Sequence, residues 1–224
     1  MHRRQERHRF GPLSQGIQRI VTVFVKQLSD KTTNETLKQL HIFDHRFFHL
    51  LGAVFTFVAK DVESKINILK DYSKCKEIGV HYRTVQKMIE YEKTNNLLEM
   101  DISKRPSGTR TLLRLHRALE FVSQFMLEVS RLEDDKGTAD VARECYKKTL
   151  AKYHPWYIKK SASIAMYTLP YRYQLVERAY CGSVPSTETR VTVSDGMNRL
   201  ALVAEEVFNA TQKLYDEHEL LELP

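Results

Sequence analysis

An all-α fold, built as a two-layer helical sandwich of about eight helices, is predicted by three features of the 224-residue chain. Apolar residues recur at three- and four-residue spacing along most of its length, and no convincing alternating segment marks a strand. Glycine is scarce, at 8 residues, which suits a chain with few turns that need its backbone freedom. The stretch Thr109–Glu133 carries two faces that avoid solvent, so it belongs centrally, between layers of other helices.

Taken in order, Met1–Phe10 (MHRRQERHRF) is Arg-rich but has no cleavage pattern of a targeting segment. Residues 1–14 are therefore read as a disordered basic tail and residues 15–224 as one domain. The first helix is expected at Gln15–Leu28. Asn34–Asp71 follows, long enough at about 1.5 Å per residue to run most of the domain's length. After His81–Met100 the chain breaks at Pro106-Ser107-Gly108, where Ser107 or Thr109 can cap the central helix Thr109–Glu133. Thr138–Tyr153 leads to Pro155–Thr168. Pro155 fits a first turn, where its missing N–H costs nothing, and it restrains His154 to an extended conformation. Pro170 ends that helix, Tyr171–Tyr180 is the next, Cys181–Arg190 reads as a loop, and Ser194–Leu221 closes the chain.

Composition narrows the class. Hydrophobic residues make up 42% and charged residues 28%, the balance of a soluble globular protein. No apolar run approaches the roughly 18–20 residues that span a bilayer. Residues 1–26 hold six basic side chains against one acidic, so the net charge of +7 leaves only +2 for residues 27–224. The basic pI therefore belongs to the N-terminal end, and nucleic acid is not an expected partner. Cys75, Cys145 and Cys181 are an odd set without a CxxC pair. Disulfide scaffolds and zinc knuckles are not expected, and a reducing cytosol is the simplest compartment.

Two helices carry ionisable side chains where an apolar stripe should run. In Leu51–Leu69, Asp61 and Lys65 fall inside the broad face made by Leu51, Val54, Phe55, Phe57, Val58, Val62, Ile66, Ile68 and Leu69. They are four residues apart and so are neighbours. In Arg110–Met126, Leu112, Leu115, Leu119, Val122 and Met126 make one stripe, and Arg110, Arg114, Arg117, Phe121 and Phe125 make the opposite one. A charge at the edge of a core needs a partner, because burying it alone is expensive. Tyr153–Lys160 (YHPWYIKK) adds His154 beside Pro155, and Trp156, the chain's one tryptophan.

Each feature alone has an ordinary reading. Asp61–Lys65 could be a surface ion pair, the arginine row a solvated stripe, His154 a packing histidine and Trp156 a core residue. Arg117 is read as structural, pairing with Glu120 or a neighbouring acid. His41, His45 and His49, with Asp44, have i,i+4 spacing, but they share the exposed arc and no HExxH motif exists, so no metal site is expected. No Ser or Cys lies in an activating motif.

Together the segments carry a resemblance. FTFVAKDVESKI (Phe55–Ile66), SGTRTLLRLHRAL (Ser107–Leu119), YHPW (Tyr153–Trp156) and QKLYDEHELLELP (Gln212–Pro224) resemble the glycolipid transfer protein superfamily, and within it the ceramide-1-phosphate transfer protein branch. The likeness runs from about Leu50 to the C-terminus and is poor over residues 1–49. It implies a two-layer helical sandwich enclosing a hydrophobic lipid pocket that takes one sphingolipid. Carried over by position, Asp61 accepts a hydrogen bond from the sphingoid amide N–H and His154 donates one to the amide carbonyl. Lys65, Arg110 and Arg114 hold the phosphate. In relatives that move neutral glycolipids, a tryptophan stands at the Arg114 position and an asparagine at the Lys65 position.

The charges agree with a phosphate. Three cations and one carboxylate leave +2, and a phosphate monoester brings about −1.5 to −2 near neutral pH. Two arginines at i,i+4 can converge on one group with bidentate geometry. Tails cannot drive selection. Each buried CH₂ is worth about 0.8 kcal/mol relative to water, but a bilayer returns nearly the same amount, so head-group hydrogen bonds must discriminate.

Trp156 and Tyr157, with Lys147, Lys148, Lys152, Lys159 and Lys160, form an aromatic–basic cluster suited to an anionic lipid surface. Lys104, Arg105 and Lys93 extend it. The resemblance supports membrane docking by Trp156. The expectation is a non-enzymatic, cofactor-free, monomeric carrier of ceramide-1-phosphate in the cytosol, visiting cytosolic faces of Golgi, plasma membrane or endosome. A neutral glycosphingolipid carrier, a lipid sensor or adaptor, and a sphingolipid hydrolase using Asp61 and His154 remain the alternatives.

Overall fold

The computed structural model describes residues 56–99, 105–179 and 187–224. Among them the chain forms seven α-helices: α1 Thr56–Lys74, α2 Val85–Thr94, α3 Gly108–Arg131, α4 Thr138–Lys148, α5 Trp156–Met166, α6 Arg172–Ala179 and α7 Thr187–Glu217. A short 3₁₀ turn, Ala151–Tyr153, lies between α4 and α5. No strand occurs among the described residues, and the all-α prediction holds. The predicted helix Gln15–Leu28, the start of Asn34–Asp71 and the N-terminal tail lie outside the described residues.

Helix boundaries follow local chemistry. Thr84 caps α2 by accepting the Lys87 N–H at 3.2 Å. Asn96 ends it in the left-handed region, φ 54°, where the Leu97 N–H reaches back to the Glu92 carbonyl at 2.9 Å. The predicted His81–Met100 is thus trimmed at both ends. Ser107 is the cap of α3, accepting the Arg110 N–H at 3.2 Å. The predicted Thr138–Tyr153 stops early, where the Thr149 hydroxyl donates to the Cys145 carbonyl and the chain tightens into the 3₁₀ turn. His154 is extended ahead of Pro155, as a residue before proline should be.

The last helix begins at Thr187, inside the segment read as a loop. Tertiary ion pairs decide this: Arg190 pairs with Asp134, and Arg172 pairs with Asp134 while donating to the Ser194 hydroxyl and the Val129 carbonyl. These contacts pin α6 and the start of α7 to the end of α3. Its far end also comes early, because Glu219 takes φ 58° and the Leu220 N–H bonds the Tyr215 carbonyl.

Helix α3 is central, as its two covered faces require. It lies along α7, with the Ser123 hydroxyl donating to the Ala201 carbonyl at 2.9 Å and His116 stacked on Phe208 at 4.2 Å. Opposite, Ile66 and Leu69 of α1 pack with Leu115. The largest apolar cluster joins Phe121, Phe125 and Val129 of α3 to Tyr146 of α4, Met166 of α5 and Met197, Leu200 and Val207 of α7. Among the described residues no helix is long and apolar enough to cross a membrane.

Candidate functional site

Helix α1 brings the first two site residues. Its apolar face, Ile66 and Leu69, turns to α3, and Val62 packs against two of the apolar clusters. Lys65 Nζ lies 2.5 Å from the Asp61 carboxylate, with the lysine side chain 18% and the aspartate 64% exposed. The pattern placed both inside the apolar face. The structure covers the lysine stem and turns the carboxylate outward, as a long, flexible stem with a charged tip allows.

His154 lies near enough to this pair to sense both charges. Burial lowers its imidazolium below the usual histidine range, the Asp61 charge acts in the opposite direction, and Lys159 and Lys65 add to the lowering. Its Nδ1 lies 2.8 Å from the Tyr146 hydroxyl. Burial raises the Tyr146 phenol, so the hydroxyl keeps its proton and has one to donate. Where it donates to Nδ1, the imidazole hydrogen sits on Nε2.

The arginine row is divided by burial. Arg110, 4% exposed, donates through Nη1 to the Leu98 carbonyl at 3.0 Å and through Nη2 to the Pro224 carbonyl at 2.9 Å. Burial, and then the neighbouring Arg114, lower its pKa. Arg114 is exposed. Among the described residues Arg117 pairs with no acid. It donates to the Leu221 and Leu223 carbonyls at 2.7 and 3.1 Å, and its guanidinium lies 3.9 Å from the centre of the Tyr153 ring. Arg110 and Arg117 thus strap the C-terminal segment to α3.

On α5, projection at about 100° per residue puts Trp156, Lys160, Ile164 and Tyr167 on one side, and all four are exposed, Trp156 to 75%. Tyr157 is exposed beside Trp156, its ring perpendicular at 6.1 Å. Lys148, Lys152 and Lys159 are also exposed, and Lys147 pairs with Glu144 at 2.6 Å. Arg105 is separate from this group, pairing with Asp71 at 2.6 Å and lying over the Tyr72 ring. Lys93 donates to the His218 carbonyl. Lys104 and the histidines 41, 45 and 49 lie outside the described residues. Among the described residues no cluster of His, Cys, Asp and Glu has a metal-holding arrangement.

Three supporting residues escaped the pattern. Tyr146 orients His154, Tyr215 donates to the Thr109 carbonyl, and Glu92 is a buried carboxylate against the start of α3. Only Glu92 had a readable signal, since it shares a helical face with Met88 and Ile89.

The family profile described as Glycolipid transfer protein (GLTP) matches residues 38–180. A ceramide-1-phosphate transfer protein of Xenopus laevis is 38% identical over 183 residues, covering 80% of this chain and 81% of that protein. The Homo sapiens protein of the same name is 35% identical over 181 residues, with 80% and 81% covered. The crystal structure of the mouse ceramide-1-phosphate transfer protein in its apo-form aligns with TM-score 0.80 and 32% identity, covering 93% of this chain and 99% of that one. The human protein in complex with 12:0 ceramide-1-phosphate aligns with TM-score 0.77 and 30% identity, over 92% and 98%. The helical fold matches theirs, and its apolar interior is consistent with the lipid those ligand-bound neighbours hold. On the profile match and on these identities across four-fifths of its length, the chain belongs to the glycolipid transfer protein family.

Proposed function

We propose that this protein is a non-enzymatic carrier that binds ceramide-1-phosphate and moves it between membranes. One observation carries the reading: the charges of an acid–lysine pair on α1 act on the histidine held before α5, and α1 packs against the helix that carries Arg110 and Arg114. A sphingolipid phosphate needs an acceptor for its amide N–H, a donor for its amide carbonyl, and cations for its phosphate. Asp61, His154 Nε2, and Lys65 with Arg110 and Arg114 supply these in turn. Relatives named for ceramide-1-phosphate transfer, and human structures holding that lipid, support the same ligand.

Transfer needs no covalent step. The apolar interior around Phe121, Phe125 and Tyr146 takes the tails, and the carrier returns its cargo unchanged. The exposed face of α5, with Trp156, Tyr157, Lys159 and Lys160, docks transiently on an anionic bilayer. Arg105 engages the surface less directly, through a side chain already paired to Asp71. The carrier works as a monomer in the cytosol, at cytosolic membrane faces such as the Golgi.

The test exposes purified protein to vesicles of mixed lipids and identifies the bound lipid by native mass spectrometry, followed by a vesicle-to-vesicle transfer assay. Retention of ceramide-1-phosphate and its movement to acceptor vesicles are expected. Retention of a neutral glycosphingolipid instead would overturn the head-group assignment. Tight binding without movement would make the protein a sensor, and a chemically altered lipid would make it a hydrolase.

A further inference from the structure

The two residues that start the arginine helix are gripped from both sides by other elements. Glu92, at 0% exposure, directs its carboxylate at the beginning of α3. Oε1 accepts from the Gly108 N–H at 2.6 Å and from the Tyr82 hydroxyl at 2.8 Å, and Oε2 accepts from the Thr109 N–H at 2.9 Å. From α7 the Tyr215 hydroxyl donates to the Thr109 carbonyl at 2.8 Å. A Cβ at position 108 would meet Met88 Sδ at 2.6 Å and Tyr82 Cε1 at 2.9 Å. Only glycine lets the backbone come that close.

A buried carboxylate costs several kcal/mol unless fixed donors replace its water, at about the scale of a broken buried pair. Here three donors do so. With Ser107 accepting the Arg110 N–H and its carbonyl accepting the Thr111 N–H, every amide from Gly108 to Thr111 is engaged. The helix start therefore offers no N–H group to an anion. A phosphate near α3 must be held by side chains alone, and their aim depends on how the first turn is set. Arg110 is two residues beyond Gly108, and Arg114 is one turn farther.

We propose that Glu92 is a positioning residue for head-group selection: it fixes the height and rotation of the first turn of α3, so that Arg110 and Arg114 are aimed before the lipid arrives. The inference rests on the phosphate reading given above. Preorganised donors bind a charge without reorganising at the moment of binding. Loss of the clamp should thus cost phosphate recognition more than tail binding.

The experiment compares Glu92→Gln with wild type, using a short-chain ceramide-1-phosphate and the ceramide with the same chains. The amide nitrogen of Gln puts a donor where Oε2 accepts from Thr109. Affinity for the phosphorylated lipid should fall about tenfold, the size expected for one charge-assisted hydrogen bond, while affinity for ceramide stays within a factor of two of wild type. An equal loss for both lipids, or none for either, would overturn the proposal. If Glu92→Gln does not fold, hydrogen exchange on the wild-type protein decides. The Gly108 and Thr109 amides should be as protected without lipid as with it, and protection gained only on binding overturns the proposal. Arg114→Leu, run in parallel, separates the two ideas. If it leaves the preference for phosphate intact, the phosphate reading fails. If it erases that preference and Glu92→Gln does not, only the positioning role fails.

Discussion

The Tyr146 hydroxyl lies 2.8 Å from Nδ1 of His154, and this contact couples the imidazole tautomer to the phenol. A phenol that donates to Nδ1 leaves the hydrogen on Nε2, the arrangement the proposed amide contact requires. Tyr146→Phe removes that donor and lets the ring exchange tautomers. Lipid affinity should fall about fivefold, in line with one neutral hydrogen bond, with little change in melting temperature. Nitrogen chemical shifts of His154 report the tautomer directly. An unchanged Nε2–H signal in the variant would sink the assignment.

The two arginines proposed for the phosphate should respond differently. Arg114 is exposed, so Arg114→Leu should cut transfer of ceramide-1-phosphate by about tenfold or more while stability stays within about 0.5 kcal/mol. Arg110→Leu strands the Leu98 and Pro224 carbonyls that the guanidinium serves. It should lose transfer and also cost about 2–4 kcal/mol of stability. Denaturant melts beside a transfer assay separate these outcomes. Equal stability of the two variants would contradict the strapping role of Arg110.

Asp61 makes its proposed contact with an amide common to all sphingolipids. Asp61→Val should therefore weaken ceramide-1-phosphate and neutral sphingolipids alike, by about tenfold or more. Its carboxylate is largely exposed, so the fold should survive. Selective loss of the phosphorylated lipid alone would move Asp61 out of the amide-binding role.

Trp156→Ala removes the most exposed large aromatic side chain on α5. Vesicle-to-vesicle transfer should slow several-fold, and binding of a short-chain lipid in solution should not change. Parallel vesicle co-sedimentation and solution titrations make the check. Lost solution binding would show that the ring lines the lipid site instead.

Acid should loosen the lipid-free protein. Burial lowers His154 and His116 below the ordinary histidine value of 6.5, with the Arg117 charge adding to the effect at His116. Between the folded values and 6.5 the unfolded chain binds more protons than the folded one. The stabilising contribution is thus complete above pH 6.5 and declines as pH falls through the folded values. Melting temperature should be flat from about pH 7 to 8 and drop toward pH 5, and replacing both histidines with Gln should flatten that limb. A melting temperature that rises on acidification would contradict the direction of both shifts.

Most of the fold was legible because helical spacing and caps are local. The central position of α3 followed from its two covered faces, and Ser107, Pro155 and Pro170 announced real boundaries. Asp61, Lys65, Arg114 and His154 were legible as ionisable groups in motif order. Side-chain patterns do not reveal main-chain partners, however. Among the described residues Arg117 serves two carbonyls of the C-terminal segment and no acid, and Arg110 serves two more. The early start of α7 depends on the Arg172–Asp134–Arg190 contacts, which join residues far apart in sequence. Glu92 was masked by its polar neighbours in EYEKTNN, although Met88 and Ile89 share its face.

Arg110 ties the turn after α2 and the last residue of the chain to one guanidinium, and that tether restricts how such a carrier could change cargo over evolutionary time. Lys65 and Arg114 can be exchanged without unlacing the scaffold. A lineage drifting toward a sugar head group would find those two sites open to trial, while architecture holds Arg110 in place whatever the cargo.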